Sequence, residues 1–323
     1  MTPGAQGRII GGFTARHGAA TMLPSHDRYP YSGIDTRPVY NWPGGARLAV
    51  YIAVNVEHFP FGEGGGIDLD RETKPWSQRS WMWREYGNRV GGWRLAELFD
   101  ELGINVGIIV NAANYEHSPE LVARYRERGD ELIGHGISNG TERPIDMSPD
   151  AEASMTREVT ELMTRTDGVR PEGWLSPYLT PSLRTPDHLV DNGYSYVLDW
   201  GTCDEQPFWM KAGSGGRKDR LLAMPYPIEL NDQPAIVGRR HTAEQYADML
   251  VDQFDEMKRR SLKAPLVFGM SLHTFIVGQP FRIVHLRRAL EHMRANSEGV
   301  WWPLPRDIAR YYRTLPESVQ LTA

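Results

Sequence analysis

The chain has 323 residues and a single cysteine, Cys203. An internal disulfide and a CxxC zinc site are therefore both excluded. A chain this poor in cysteine suits a reducing cytoplasm, the compartment expected for it. No stretch approaches the roughly 20 apolar residues needed to cross a bilayer. The opening MTPGAQGRIIGGF lacks a basic segment followed by an apolar one, so no signal peptide is expected. A basic stripe is also missing: the net charge is −5 and is spread along the chain. This speaks against nucleic acid and against an anionic membrane as partners. There is no internal repeat and no Gly-rich dinucleotide turn. Gly62-Glu63-Gly64-Gly65-Gly66 is no phosphate loop, because no GK[ST] follows it.

What is present is unusually aromatic, with 10 Trp and 14 Tyr, and rich in turn formers, with 32 Gly and 23 Pro. Large aromatics serve cores and interfaces first; a share of them is expected to line a pocket. Residues 1–45 show no sustained period and are expected to form an extended N-terminal arm. From Arg47 onward, strands and helices alternate. Apolar, β-branched runs at 48–56, 106–110 and 266–272 read as buried strands, with shorter ones at 131–134, 173–175, 194–199, 221–225 and 300–302. Helices are announced by Ser118-Pro119, Ser148-Pro149 and Thr185-Pro186, where a hydroxyl caps and proline takes the first turn. Thr242-Ala243-Glu244-Gln245 matches a capping box. Such alternation predicts one α/β domain with a parallel sheet, over residues 46–315, and closed rather than open.

In parallel α/β folds, ligands gather at the carboxyl ends of the strands. Those ends hold Asn55, Glu57 and His58, then Asn111, His135, Ser176-Pro177-Tyr178, Asp199-Trp200 and His273. A lone histidine there is ordinary structure; two converging with a carboxylate point to chemistry. Segment 57–88, with Trp76, Trp81 and Trp83, is too long for a plain connection and reads as a lid or an interface loop.

The order of these pieces resembles the polysaccharide-deacetylase-like (chitooligosaccharide-deacetylase homology) superfamily. The resemblance is carried by Asn55-Val56-Glu57, Glu85-Tyr86-Gly87-Asn88-Arg89-Val90-Gly91, Gly134-His135-Gly136, Gly173-Trp174-Leu175-Ser176-Pro177 and Asp199-Trp200. Further along it rests on Pro225-Tyr226, Glu229-Leu230-Asn231-Asp232, Leu272-His273, Gly278-Gln279-Pro280 and Val300-Trp301-Trp302. The motifs span residues 28–313 and look most like the intracellular branch, with its metal-independent allantoinase and cyclic-imide hydrolases. The resemblance implies a distorted (β/α)7 barrel and hydrolysis of an amide C–N bond.

The departures bear on mechanism. Deacetylases of the superfamily carry an Asp-Asp pair, a His-x-x-x-His metal pair and an Arg-x-Pro segment. Here Glu57 stands at the carboxylate site, Asn139 replaces the second histidine, and Leu175 occupies the arginine position. A catalytic zinc takes three protein ligands and an open position. Glu57 and His135 supply two, so no metal is favoured, with a divalent ion such as zinc on those two residues left open. Without metal, Glu57 would activate water, its pKa raised by burial. His273 would protonate the leaving nitrogen, and His135 would orient the water or the oxyanion. Asp199 is a candidate to orient a site histidine. Asn139, Trp174, Tyr178, Asp199 and Trp200 are candidate substrate contacts.

The expected activity is hydrolysis of a small linear or cyclic amide, imide or ureide, in a homo-oligomer. Three alternatives stand beside it: a metal-dependent oligosaccharide N-deacetylase, an inactive binding relative, and a serine hydrolase. The last follows from Gly136-Ile137-Ser138-Asn139-Gly140, which matches a nucleophile elbow, with Ser138, Asp199 and His273 in triad order. Against it, no helix is predicted to start at Ser138. Cys203, beside Asp204 and Glu205, is a poor nucleophile because neighbouring carboxylates raise a thiol's pKa.

Overall fold

A computed structural model describes residues 26–63, 66–68, 71–74, 76–140, 142–213 and 219–321. Its strands are β1 (Leu48–Val56), β2 (Gly66–Asp68), β3 (Arg71–Lys74), β4 (Gly107–Val110), β5 (Glu131–Gly134) and β6 (Gly173–Trp174). They continue with β7 (Tyr196–Val197), β8 (Phe208–Ala212), β9 (Asp219–Ala223), β10 (Leu266–His273) and β11 (Val300–Trp301). The main sheet runs β10-β1-β4-β5-β6-β7-β9-β8, with β11 beside the start of β1. Seven of these, from β10 to β9, pair in parallel; β8 is an antiparallel edge on β9. A single parallel bridge from Asn231 to Ser271 joins the segment after β9 back to β10. The expected α/β domain is thus a distorted (β/α)7 barrel.

The alternation of side chains along a strand decides what faces the lumen. On β1, Leu48, Val50, Ile52 and Val54 face the helices, while Ala49, Tyr51 and Ala53 face inward. Ile109, Ile133, Leu175, Tyr196 and Val267 join them inside. A barrel of seven strands is narrow, so its large residues need gaps opposite. A Cβ on Gly269 would fall 2.8 Å from the Tyr51 ring, and one on Gly173 2.1 Å from that of Tyr196. Both glycines make room for a tyrosine that fills the lumen below the site.

Helices start at all four expected signals, but only two of the hydroxyls cap them: Ser118 makes no capping bond to Pro119–Glu127, and Thr185 is itself the first residue of Thr185–Asp191, behind Arg184. Pro149–Asp167 is capped by Ser148 through Ala151, and Ala243–Ser261 opens on the Thr242/Gln245 capping box. Two regions depart from expectation. Segment 57–88 is not mere loop, since it holds the β2-β3 hairpin and a helix, Gln78–Tyr86, capped by Ser77. That helix continues through a π turn, Gly87–Gly91, into Gly92–Leu102. The β8 edge strand was not foreseen either. Of the expected arm, residues 1–25 lie outside the described residues. The remainder crosses the barrel, tied by Arg28 to Asp187 at 2.6 Å and by the Trp42 indole to the Leu266 carbonyl at 3.1 Å. Among the described residues no helix is long and apolar enough to cross a membrane.

Candidate active site

The inward parity of three strands brings the chemistry together. It places Asn55 at the last inward position of β1's alternation and Glu57 just past that strand, His135 past β5 and His273 at the end of β10. All four are buried around the floor of a cavity of about 600 Å³. His135 Nε2 lies 3.5 Å and His273 Nε2 3.9 Å from the same Glu57 oxygen, Oε1. Asn139 Nδ2 donates to that oxygen at 2.6 Å.

Each histidine has its tautomer set from behind. His135 Nδ1 lies 2.7 Å from the Leu175 carbonyl, which can only accept, so Nδ1 carries the hydrogen. A neutral His135 then presents a lone pair at Nε2. That atom is buried and has no hydrogen-bond partner among the described residues. His273 Nδ1 meets Asp232 Oδ1 at 2.7 Å, and the His273 backbone N–H donates to Oδ2 at 2.8 Å. Burial alone would lower the His273 pKa, but the charges of Asp232 and Glu57 outweigh it and leave it above the ordinary imidazole value. His273 is therefore a competent proton donor near neutral pH.

The expectation that burial raises the Glu57 pKa is corrected by its surroundings. Burial does push it up, yet the charge of His273, the hydrogen bond and charge that His135 supplies when its ring is protonated, and the charge of Arg84 together leave it lowered. Glu57 is thus ionised at neutral pH, as a base must be.

The other candidates divide between the cavity and its surroundings. Asn139 and Tyr178 line the cavity, and the Tyr178 hydroxyl donates to the Asn139 carbonyl at 2.9 Å. Tyr178 and Leu179 both take left-handed backbone, φ 60° and 55°, in the turn after β6. Strain of this kind collects at functional sites. Trp174 does not reach the cavity: it sits on the outward parity of β6, 0% exposed, against the Tyr194 ring. Trp200 lies outside the lining too, edge-on to His26 and Tyr29. Asp199 orients no site histidine through a hydrogen bond. Its two oxygens accept from the Ser176 N–H and hydroxyl, both at 2.9 Å. The Ser138-Asp199-His273 triad is therefore not assembled, since Asp199 serves Ser176 and His273 is paired to Asp232.

Two residues of the site escaped the sequence reading as functional groups. Asp232 was seen only as part of a motif, and Arg84 not at all. Arg84 comes from the helix Gln78–Tyr86, is 7% exposed, and lies over the Phe59 ring with its guanidinium carbon 4.2 Å from the centroid.

Whether the residues fit a divalent ion turns on Asn139. The neighbouring Asn111 accepts from the His58 N–H through Oδ1, at 2.8 Å, and donates through Nδ2 to the His135 carbonyl. Its Nδ2 also donates to Asn139 Oδ1 at 3.0 Å. The Asn139 oxygen is thus spent on Asn111, and its N–H groups face Glu57. Glu57 and His135 remain as two ligands, and among the described residues no group of three His, Cys, Asp or Glu side chains is placed for a metal. The residues do not fit a three-ligand catalytic site.

No family model matches the chain. A "Putative polysaccharide deacetylase" of Schizosaccharomyces pombe is 25% identical over 307 residues, 86% of this chain and 92% of the relative. Among solved structures, a "probable Polysaccharide deacetylase" of Pseudomonas aeruginosa PAO1 is 24% identical with TM-score 0.78, covering 89% of this chain and 99% of that one. PuuE allantoinase is 25% identical with TM-score 0.76, over the same shares of the two chains. The chain has a curated homologue named as a deacetylase, and its fold is that of deacetylase- and allantoinase-like hydrolases.

Proposed function

We propose that the protein hydrolyses a C–N bond of a small linear or cyclic amide, imide or ureide, with its own side chains as base and acid. One observation carries the reading: a single oxygen of Glu57 stands between two imidazole Nε2 atoms, one of them backed by Asp232. The similarity to an allantoinase supports the substrate class, and a cavity of about 600 Å³ falls within the range for small ligands.

In this mechanism a water lies against Glu57 and the His135 lone pair. Glu57 takes its proton as the oxygen attacks the carbonyl carbon. The O–C bond forms and the carbonyl π pair moves onto oxygen. When that pair returns, the C–N bond breaks and His273 Nε2 gives its proton to the departing nitrogen. Glu57 ends protonated and His273 neutral; transfer of one proton between them through solvent restores the start. His135 is assigned to the water rather than to the oxyanion, because its Nε2 is an acceptor.

The test is a panel of allantoin, hydantoin, succinimide and diacetylchitobiose. Turnover of one of the first three supports the reading, and Glu57→Gln abolishes it. Turnover of the acetylated sugar alone would replace the reading with N-deacetylation.

A further inference from the structure

We propose that Asn55 determines specificity: its side-chain oxygen receives the N–H of the nitrogen that the reaction releases. Resting on the hydrolytic reading above, this narrows the substrates to amides and imides that carry a hydrogen on the scissile nitrogen.

The Asn55 amide has one orientation. Its Nδ2 lies 3.1 Å from the Leu272 carbonyl, which can only accept, and 3.2 Å from Ser271 Oγ. The Tyr226 hydroxyl holds that Ser271 oxygen in turn, at 2.6 Å. Both N–H groups of Asn55 are thus turned to β10, and Oδ1 is on the other side. Among the described residues Oδ1 receives no hydrogen bond, nor is it one of the polar atoms sealed away without a partner. Asn55 is 2% exposed, and that small surface belongs to the cavity it lines. Its free oxygen therefore opens onto the cavity floor. Register sets it beside the acid, because Asn55 and His273 are paired across β1 and β10 and both line the cavity. Paired strands lie only about 4.8 Å apart, so the two side chains meet the same small ligand.

The reaction gives such an acceptor a task. An amide nitrogen has its electron pair delocalised into the carbonyl. The pair becomes basic only after water has added and the nitrogen has turned pyramidal. Where it then points depends on where the remaining hydrogen is held. An N–H held by Asn55 Oδ1 leaves the pair free for the proton on His273 Nε2. Asn55 itself neither gains nor loses a proton. A methyl group on that nitrogen removes the donor and leaves a sheltered acceptor unpaired, which is costly.

The experiment uses the full chain and matched sets of compounds. One set is succinimide, N-methylsuccinimide and 2-methylsuccinimide; another is hydantoin, 3-methylhydantoin and 1-methylhydantoin. Allantoin joins them, with derivatives methylated at its imide nitrogen and at its other ring nitrogen. In each set the second compound has a methyl on the released nitrogen, and the third has the same methyl elsewhere as a control for size. The native kcat/KM falls about 1,000-fold or more with the second compound and far less with the third. In Asn55→Leu the preference for N–H over N–CH3 shrinks at least about tenfold. A variant that merely displaced His273 would slow both compounds alike and leave that ratio unmoved. If Asn55→Leu does not fold, Asn55→Ala is read in the same way; if neither folds, the native ratios decide. Equal native losses with the two methylated compounds, no native loss with either, or a native ratio in a folded variant would each overturn the assignment. Absence of native turnover on every unmethylated ring defeats the hydrolytic reading itself and takes this one with it. Native turnover without selectivity at the released nitrogen defeats the role of Asn55 alone.

Discussion

Asn139 donates to Glu57, and Asn111 dictates that direction. The His58 N–H and the His135 carbonyl leave Asn111 one orientation, which turns the Asn139 oxygen toward Asn111 and its N–H groups toward Glu57. A carboxylate that receives such a bond is favoured in its charged form. Asn139→Asp reverses the relationship by placing a second carboxylate against the first. The acid limb of the kcat/KM profile should then move up by about a unit or more. An unmoved limb would show that Glu57 is not the group titrating there.

Glu57→Gln keeps the shape and removes the base. Turnover should fall at least about 100-fold, and the thermal midpoint at neutral pH should fall as well, because the charges around Glu57 make its ionised form favourable to the fold. Unchanged turnover would refute the role of Glu57.

The directions of the two shifts set the pH window. Glu57 lies below its ordinary 4.5 and His273 above its ordinary 6.5. The kcat/KM profile should therefore fall only below pH 4.5 on the acid side and only above 6.5 on the basic side. Stability follows the same signs. The Glu57 contribution is present above 4.5 and lost as pH drops through its lowered value. The His273 contribution is complete below 6.5 and lost as pH climbs through its raised value. Asp232→Asn should bring the basic limb down toward or below 6.5, measured by rate profiles. Asp199→Asn should leave that limb in place and act on stability, since Asp199 holds Ser176.

Exhaustive dialysis against a chelator should leave turnover intact, and the native chain should bind no stoichiometric zinc. Asn139→His, which sets a nitrogen beside Glu57 and His135, should gain a divalent site visible as Co2+ d–d absorption. Loss of native activity to chelator, with recovery on adding zinc, would reverse this conclusion.

Gly91→Ala tests the joint between two parts of the site. A Cβ there would lie 2.0 Å from the Thr274 carbonyl oxygen, next to His273. Overpacking of backbone against backbone costs on the order of 1–3 kcal/mol, read as a lower thermal midpoint. Turnover should drop as well, because the strain falls beside the acid.

The barrel was legible wherever a strand is long and β-branched. The runs ending at Glu57 and His273 announce both their strands and their terminal polar groups. Trp174 was misplaced because β6 has two paired residues, too few for the eye to assign a parity; its neighbours Gly173 and Leu175 take the inward side. Asp232 was hidden for another reason. It follows β9 through an irregular stretch with no period, and its histidine lies 41 residues further on. Arg84 sits in a segment whose aromatic and glycine content masked a short helix. Only the Ser77 cap, which accepts from the Ser80 N–H, marks its start.

The glycine joint also bears on how new specificities could arise on this scaffold. A Cβ on Gly87 would lie 2.4 Å from Thr274 Oγ1, and one on Gly278 2.5 Å from the Gly91 Cα. The wall bearing Arg84 and the strand end bearing His273 are thereby fastened into one mechanical unit. Mutations on that side carry the acid with them and are purged together. Arg143, Tyr178, Leu179 and Thr180 belong to connections on another wall of the cavity. Drift in substrate preference among descendants of this chain should therefore accumulate there, where pocket shape can change and the proton donor stays where it is.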